Sequence, residues 1–279
     1  MKKEILCGVL LLSLFVGCGR GAEPVSADEI VPTVTVTEAH SPTVSPVPTA
    51  APTPSPTPSP TPSPAPTSEP TPVPETLDAE TAQGCSAACL DILERYRDAH
   101  EVQHVLTVSW DKGSHATARY FEKLSGEAFV WQTVFVSDAL VGKNGMGKTC
   151  EGDGKTPVGE FGVLSAFGIC PDPGTVFPYT VITETTYACD EPGEYYNRIT
   201  DTALTGHDCT GEAMFYCSPD YHYGLVPDFN RENIYPNGSG IFLHCKGSLN
   251  YTYGCVALDE GDMLTVLQTA DAGLRILLE

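Results

Sequence analysis

Hydrophobic and polar residues alternate in several short runs along the C-terminal two thirds of the chain. These runs are rich in β-branched and aromatic residues, and glycine-containing turns separate them, which is the pattern of β-strands. They span residues 105–110, 118–121, 129–136, 159–164, 179–183, 224–226 and 240–244, and a last apolar run at 274–278 is expected to complete the sheet. The pattern predicts a mainly β domain with two or three helices.

Two other segments repeat their apolar residues at helical spacing. The first runs from Cys85 to Tyr96, where hydrophobic positions three or four apart form one face. The second is expected to begin after Asp259, a suitable N-cap, and to end at Thr269. Its predicted buried face consists of Met263, Leu264 and Leu267. The first helix belongs to a predicted lead-in at residues 78–100, ahead of the β domain at 101–279.

The first 18 residues have a basic start and a short apolar run that ends in Gly17 and Cys18. This pattern is typical of a secretory signal, and the run is short for a transmembrane span. Because a small residue directly before a cysteine is similar to bacterial lipoprotein signals, we predict a signal peptide at 1–17 and lipidation of Cys18. Phe15 stands where such signals usually have leucine, and the alternative is cleavage at another small residue with release of a soluble protein.

Proline dominates the next segment, because 14 of the 24 prolines lie between Pro42 and Pro74. Each proline fixes its own φ and disfavours the α region for the residue before it. Residues 18–77 are therefore predicted to be a disordered, extended linker behind the lipid anchor. At about 3.1 Å per residue, its proline-rich part reaches on the order of 100 Å.

Most of the formal net charge of −21 belongs to residues 76–279, which carry 12 Lys and Arg against 29 Asp and Glu. Nucleic-acid binding is disfavoured, because no excess of cations is available to replace the counterions of a phosphate backbone. Electrostatic docking on anionic lipid is disfavoured for the same reason.

The cysteine count indicates an unpaired thiol. Removal of the signal takes away Cys7, and lipidation uses Cys18, which leaves nine of the 11 cysteines in the exported domain. An oxidising compartment favours disulfides, and an odd number leaves at least one thiol unpaired. The connectivity of the other eight does not follow from the sequence.

Cys255 has the sequence context of a nucleophile. Gly254 permits a sharp turn whose amides can face the oxygen of a tetrahedral intermediate. A free thiol is only slightly ionised at neutral pH and needs a base, and His244 at the end of a predicted strand is the best candidate. Cys245 would face away, because adjacent side chains of a strand point in opposite directions. From these residues alone, a disulfide at Cys255 is an equal alternative.

Other candidate sites receive structural roles. His207, Cys209 and Cys217 lack the spacing of a zinc finger or ribbon, so disulfide pairing and no metal site is predicted there. Lys155 and Thr156 follow an Asp-Gly pair and lack the spacing of a phosphate-binding loop, so they are expected to form a turn before a strand.

Two motifs together resemble the YkuD-type L,D-transpeptidase domain. One is T-P-V-G-E-F at 156–161, and the other is the strand ending at His244 followed by T-Y-G-C at 252–255. The resemblance covers roughly residues 102–279 and implies a β-sandwich with a cysteine at the end of a groove. It implies that Cys255 is the nucleophile and His244 the general base. It also implies an oxyanion hole at Gly254 and Tyr253, with Thr252 ordering the loop.

The reaction implied by this resemblance is acyl transfer in peptidoglycan biosynthesis. A thiolate attacks the carbonyl between the third residue and the terminal D-alanine of a stem peptide, D-alanine leaves, and the amine of a second stem resolves the thioester. The resemblance implies no cofactor and no metal, and carbapenem-type compounds are expected inhibitors. The alternatives are a hydrolytic L,D-carboxypeptidase and a non-catalytic wall-binding lipoprotein. The expected location is outside the cytoplasm, lipid-anchored to the bacterial cell membrane and reaching into the cell wall.

The chain departs from the family pattern at two positions. Tyr253 replaces a histidine that is common before Gly-Cys, and Ala257 replaces an arginine that is common two places after the cysteine. The first change is expected to alter only the wall of the site, because the oxyanion donors are backbone amides. The second removes a cation that could hold a substrate carboxylate, so an amidated stem peptide is the expected substrate.

Overall fold

The computed structural model describes residues 81–124 and 130–279. The predicted signal peptide at 1–17, the lipidation residue Cys18 and the linker at 18–77 lie outside the described residues. The described helices are α1 (Ala87–Arg95), α2 (Thr202–Thr205) and α3 (Glu260–Thr269), with a 3-10 turn at Met214–Tyr216. The described strands are β1 (His104–Lys112), β2 (His115–Leu124), β3 (Val130–Leu140), β4 (Gly159–Phe161), β5 (Val163–Gly168), β6 (Tyr179–Val181), β7 (Thr186–Cys189), β8 (Arg198–Asp201), β9 (Glu212–Ala213), β10 (Gly224–Pro227), β11 (Leu243–Cys245), β12 (Val256–Leu258) and β13 (Arg275–Leu278).

The described strands form a sheet of ten strands and a sheet of three. The large sheet has the order β4-β13-β1-β2-β3-β12-β11-β10-β5-β6, and the small sheet has the order β8-β7-β9. Strands β1, β2 and β3 pair antiparallel in succession, and β13 lies parallel to β1. Strand β12 pairs with β3 on one side and runs parallel to β11 on the other. The predicted mainly β fold with two or three helices is therefore confirmed.

The main hydrophobic core combines α3 with side chains from the strands of the large sheet. Its fully buried members include Leu106, Tyr120, Leu225, Leu243 and Leu258. Burial of each such side chain contributes about 1.5–3 kcal/mol. Helix α3 buries Met263, Val266 and Leu267. This differs from the predicted face by one residue, because Val266 is buried where Leu264 was expected and Leu264 is only half-buried.

Helix α1 packs in a second core together with residues of β1, β2 and β3. The helix begins where the Ser86 hydroxyl accepts a hydrogen bond from the Cys89 amide at 2.9 Å, as an N-cap does. Its buried residue Leu93 accepts a hydrogen bond through the backbone carbonyl from Trp131 Nε1–H at 2.8 Å. The helix predicted between Cys85 and Tyr96 is thus present and docked on the domain. Among the described residues, no helix has both the length and the apolar character needed to cross a bilayer.

A third, smaller core contains Cys255 among aromatic side chains. Phe167 and Phe242 meet edge to face with their ring centroids 5.0 Å apart, and Tyr221 packs against Phe167 in the same way at 5.4 Å. Aromatic pairs in this arrangement contribute about 0.5–1.5 kcal/mol beyond their buried area. These rings pack the end of β5 against the segments that precede β10 and β11, in the same cluster as Cys255.

Candidate active site

The parallel pairing of β11 with β12 brings two distant residues of the chain together. His244 lies opposite Ala257 in the register, and Cys255 comes directly before β12. Both the His244 and the Cys255 side chain line a cleft of about 400 Å³. The same cleft is also lined by Thr252, Tyr253 and Gly254. The fold therefore gathers into one cleft all the residues that the sequence grouped into one site.

The Cys255 thiol is almost fully buried, with 8% of the residue exposed. It donates a hydrogen bond to the Gly240 carbonyl at 3.1 Å and accepts one from the Phe242 amide at 3.3 Å. Burial raises the pKa of Cys255 to about 12, although the Phe242 amide and the charge of Lys148 act in the opposite direction. At neutral pH the group is a thiol, so a nearby base has to accept its proton before or during any attack.

The His244 imidazole has the tautomer that a base requires. Its Nδ1 donates to the Cys245 carbonyl at 2.8 Å, which leaves the Nε2 lone pair unprotonated in the neutral ring. The ring is held edge to face against Tyr221 with centroids 5.3 Å apart. Burial lowers the pKa of His244 below its ordinary value of 6.5, so the ring is neutral at physiological pH.

Cys245 lies on the other face of β11, as strand alternation predicts. Its thiol belongs to the main core and donates to the Tyr223 carbonyl at 3.6 Å, whereas His244 faces the cleft. Burial raises the pKa of Cys245 to about 12. A buried thiol with no base beside it is a structural residue.

Two threonine hydroxyls hold the backbone carbonyl of Cys255. Thr252 Oγ1 donates to this carbonyl at 2.7 Å, and Thr156 Oγ1 donates to it at 3.0 Å. Thr156 is fully buried and also accepts a hydrogen bond from the Gly142 amide at 2.9 Å. Thr156 therefore belongs to the site and is more than the turn residue that the sequence indicated. Thr156 is part of the T-P-V-G motif. Its hydrogen bond with the Cys255 carbonyl joins residues 99 positions apart and does not follow from local spacing.

The loop before Cys255 corrects one detail of the predicted oxyanion hole. Gly254 has φ of 150°, and its amide donates to Thr252 Oγ1 at 3.2 Å, so this amide is already satisfied. Among the described residues, no protein group accepts a hydrogen bond from the amides of Tyr253 and Cys255. These two amides are the ones available to a developing oxyanion.

Lys148 supplies a buried cation that the sequence reasoning missed. Its ammonium pairs with Asp153 Oδ1 at 3.0 Å, and only 3% of the lysine side chain is exposed. Burial would raise the pKa of Asp153, but its hydrogen bonds lower that pKa to about 2. The backbone amides that donate to this carboxylate belong to Thr149, Cys150 and Lys155. The carboxylate therefore stays ionised at neutral pH and pairs with the Lys148 side chain in the cleft beside Cys255.

The remaining charges of the cleft are negative. Among its lining residues in the described part of the chain, Lys148 is the only lysine or arginine, and four side chains are carboxylates. These carboxylates belong to Glu151, Asp190, Glu212 and Asp220. Within the described residues, Oδ1 of Asp220 is buried without a hydrogen-bond partner. The cleft thus has an acidic wall, which favours a positive or neutral ligand over an anionic one.

Comparison with known proteins identifies the fold around this cleft. Residues 107–277 match the family model of YkuD, the L,D-transpeptidase catalytic domain. The chain belongs to the YkuD family. A crystal structure of Mycobacterium tuberculosis L,D-transpeptidase 1 matches with 15% sequence identity and a TM-score of 0.29. That match covers 63% of this chain and 62% of the mycobacterial chain, and no curated protein matches.

Two residues of this YkuD domain depart from the family pattern and lie in the cleft wall. Tyr253 is 63% exposed, and its ring lies beneath the Lys143 ammonium at 4.4 Å from the ring centroid. Ala257 is 2% exposed and pairs in register with both His244 and Leu140. The Ala257 position therefore carries no charge toward the acidic cleft.

The cysteines of the described residues divide into one bonded pair and seven free thiols, of which Cys85 and Cys89 precede the YkuD domain. Cys209 is joined to Cys189, as the predicted pairing of Cys209 requires, while Cys217 is free. Cys217 lies in the cleft wall, and His207 lies outside it. Cys255 is among the free thiols, so it is not consumed by the disulfide that was its alternative role.

Proposed function

We propose that this chain is an L,D-transpeptidase that cross-links peptidoglycan stem peptides through a thioester on Cys255. Family membership supports the reaction class. The observation that carries the proposal is the pairing, in one cleft, of the free Cys255 thiol with a neutral imidazole whose Nδ1 is bound to a backbone carbonyl. A wall-binding protein without chemistry needs neither the free thiol nor the fixed tautomer.

Acylation begins when Nε2 of His244 accepts the thiol proton as the sulfur attacks the stem-peptide carbonyl before the terminal D-alanine. The amides of Tyr253 and Cys255 then donate to the oxyanion of the tetrahedral intermediate. The imidazolium returns the proton to the amine of D-alanine, the C–N bond breaks, and a thioester remains on Cys255.

Deacylation repeats these steps with an amine in place of the thiol. The side-chain amine of a second stem attacks the thioester carbonyl and gives its surplus proton to His244. Collapse of the intermediate breaks the C–S bond, and the thiolate leaving group recovers the proton from the imidazolium. The products are a cross-linked peptide and the free enzyme, and no step requires a cofactor.

The charge of the cleft supports a preference among stem peptides. A stem that is amidated, or that presents an ammonium group, avoids repulsion from Glu151, Asp190, Glu212 and Asp220. Ala257 offers no cation that could compensate a free carboxylate at the third residue. We therefore propose amidated stem peptides as the substrates, in agreement with the expectation from the sequence.

The location is proposed on the N-terminal sequence. A lipid on Cys18 would hold the chain at the outer face of the bacterial membrane, and the proline-rich linker would extend the domain on the order of 100 Å toward the wall. A cross-linking enzyme needs such reach, because its substrates are anchored in the peptidoglycan.

The test measures D-alanine release and product masses with the purified full-length chain and amidated tetrapeptide stems. The expected products are free D-alanine and a cross-linked dimer, and Cys255→Ala should form neither. Cys245→Ala is the matched control, because the Cys245 thiol is equally shielded but faces the core, and it should keep the activity. Tripeptide without dimer would identify a carboxypeptidase, and turnover by Cys255→Ala would reject the nucleophile.

A further inference from the structure

A second cluster of reactive side chains lies outside the catalytic residues. Cys189, Glu191, His207 and Cys209 place one ligand atom each so that all four atoms lie within 4.8 Å of one another. The two cysteines are buried, and the Glu191 and His207 side chains are about one quarter exposed. The ligands come in two pairs: C-x-E at the end of β7, and H-x-C in the segment before β9.

The contacts inside the cluster all converge on Glu191. Its Oε1 pairs with His207 Nε2 at 2.8 Å, and its Oε2 lies 3.8 Å from the Cys209 sulfur, which is joined to Cys189 in the disulfide. The His207 ring is further positioned by stacking on Tyr195, with centroids 4.3 Å apart. A disulfide between Cys189 and Cys209 needs neither the carboxylate nor the imidazole, yet one ligand atom of each lies within 4.8 Å of both sulfur atoms.

We propose that this cluster is a structural zinc site formed by Cys189, Glu191, His207 and Cys209. Two thiolates, one imidazole and one carboxylate suit a borderline metal that prefers four tetrahedral N, S and O ligands. Bonds of about 2.0–2.3 Å place tetrahedral ligands roughly 3.3–3.8 Å apart, which the observed cluster reaches through small side-chain movements. A dithiol or phosphine first reduces the Cys189–Cys209 disulfide to two thiols and is itself oxidised. Zinc binding to the reduced pair then displaces the two thiol protons to solvent.

The disulfide between Cys189 and Cys209 is then the metal-free, oxidised form of the same cluster. The described part of the chain carries seven further cysteines as free thiols, and catalysis itself requires that Cys255 stay reduced. After reduction of the disulfide, the Cys189 and Cys209 thiols become available to a metal.

The position of the cluster gives the metal a structural purpose. Cys189 ends β7, and its neighbours Ala188 and Asp190 line the catalytic cleft. Ala188 pairs with Glu212 of β9, another residue of the cleft wall. A metal bound at Cys189 and Cys209 would connect the end of β7 with the segment before β9, and so stabilise this wall without contacting the substrate.

Zinc binding to the full-length chain tests the proposal. The protein is reduced with a phosphine, freed of metal, equilibrated with zinc chloride, and analysed for zinc per chain by mass spectrometry. We expect about one zinc per chain that is absent from the Cys189→Ser/Cys209→Ser variant. His207→Ala and Glu191→Gln keep both cysteines and should weaken binding by about tenfold or more. His222→Ala is the matched control, because its ring also pairs with a glutamate, at 2.9 Å, outside any such cluster.

Cobalt chloride gives an independent readout, because tetrahedral cobalt with thiolate ligands absorbs in the visible and near-ultraviolet ranges. The parent protein and His222→Ala should develop these bands, and the double cysteine variant should not. Equal zinc content in the parent and the double cysteine variant would overturn the proposal, as would unchanged affinity in both His207→Ala and Glu191→Gln. A Cys189–Cys209 disulfide that re-forms in the presence of excess zinc would also overturn it.

Discussion

Burial controls the protonation state of the Cys255 thiol, and in the proposed mechanism His244 controls its reactivity. The thiol is neutral because burial raises its pKa to about 12, and the imidazole is neutral because burial lowers its pKa below 6.5. A neutral pair of this kind forms the thiolate only when the proton moves to His244. In the proposed mechanism, proton transfer is therefore part of the chemical step, and the acylation rate depends on the imidazole being unprotonated.

The pH dependence of acylation follows from His244. Because burial lowers the pKa of His244 below 6.5, the acid limb of the acylation rate should have its midpoint below pH 6.5, with the rate constant at higher pH. The rate should fall at lower pH as the imidazole is protonated. Stopped-flow measurement of acylation against pH checks this profile. An acid limb with its midpoint above 7 would contradict the assignment of His244 as a buried neutral base.

Asp153 and Lys148 form the buried ion pair of the cleft, and their separation should be costly. Asp153→Asn leaves the Lys148 ammonium buried without a counter-charge and should lower the free energy of unfolding by about 3 kcal/mol. Asp138→Asn, at an exposed position on β3, should change it by less than about 0.5 kcal/mol. Urea denaturation at neutral pH measures both, and equal stability of the two variants would contradict the account.

Because of this ion pair, the free energy of unfolding should decrease at acid pH. The folded pKa of Asp153 is about 2 and its ordinary value is 3.8, so its stabilising contribution is complete above pH 3.8. It is lost as the pH falls toward 2, and Asp153→Asn should lack this part of the pH dependence. Denaturation of the parent and the variant between pH 5 and pH 2 provides the comparison.

At the scale of elements, long and strongly alternating strands were predictable. The sequence located β1 and β3 because their runs of β-branched and aromatic residues are long, but of the ten residues of β2 it located only 118–121. It did not indicate β7, β8 and β9, whose two to four residues are too short to show a period. The run at 240–244 becomes regular strand only from Leu243, since Gly240 has φ of 60°.

Site residues were predictable from the sequence where a local motif marks them. Residues that reach the site only through long-range packing were missed. Cys255, His244 and Gly254 have recognisable local contexts. Lys148 and Thr156 do not, because their contacts with the Cys255 region arise only when the segment at 142–156 packs against the loop at 252–255. The engaged amide of Gly254 likewise depends on the rotamer of Thr252, which no spacing rule encodes.

The loop before β12 should tolerate no side chain at Gly254. A Cβ there would lie 3.0 Å from both the Lys155 carbonyl oxygen and Ile241 Cδ1, at a φ of 150° that other residues rarely adopt. Gly254→Ala should therefore cost about 1–3 kcal/mol of stability and reduce acylation strongly. Gly261→Ala is the control, because nothing lies within 4 Å of its Cβ position in α3. Comparable activity of the two variants would contradict the proposed loop geometry.

At the scale of the whole molecule, the sequence divides into a predicted lipid anchor, a nearly uncharged proline-rich linker and an acidic domain. With 12 Lys and Arg against 29 Asp and Glu in residues 76–279, anionic wall polymers would repel the domain. The domain would then be retained near the wall by its anchor and not by charge.

Lipidation is tested by metabolic labelling with a lipid precursor. The parent chain should be labelled and recovered with membranes, and Cys18→Ala should be unlabelled. Cys7→Ala is the control, because it lies within the predicted signal and should not prevent labelling. An unlabelled parent chain would contradict the predicted anchor and favour a released protein.

The central claim is that Cys255 is the nucleophile, and a carbapenem tests it most directly. The full-length chain is incubated with the drug, and intact-mass analysis followed by peptide mapping locates any adduct. The exposed free thiol of Cys150 serves as an internal control for non-specific reaction. We predict one adduct, on Cys255, that is lost in Cys255→Ala and kept in Cys245→Ala. No adduct, or an adduct confined to Cys150 or another thiol, would contradict the account.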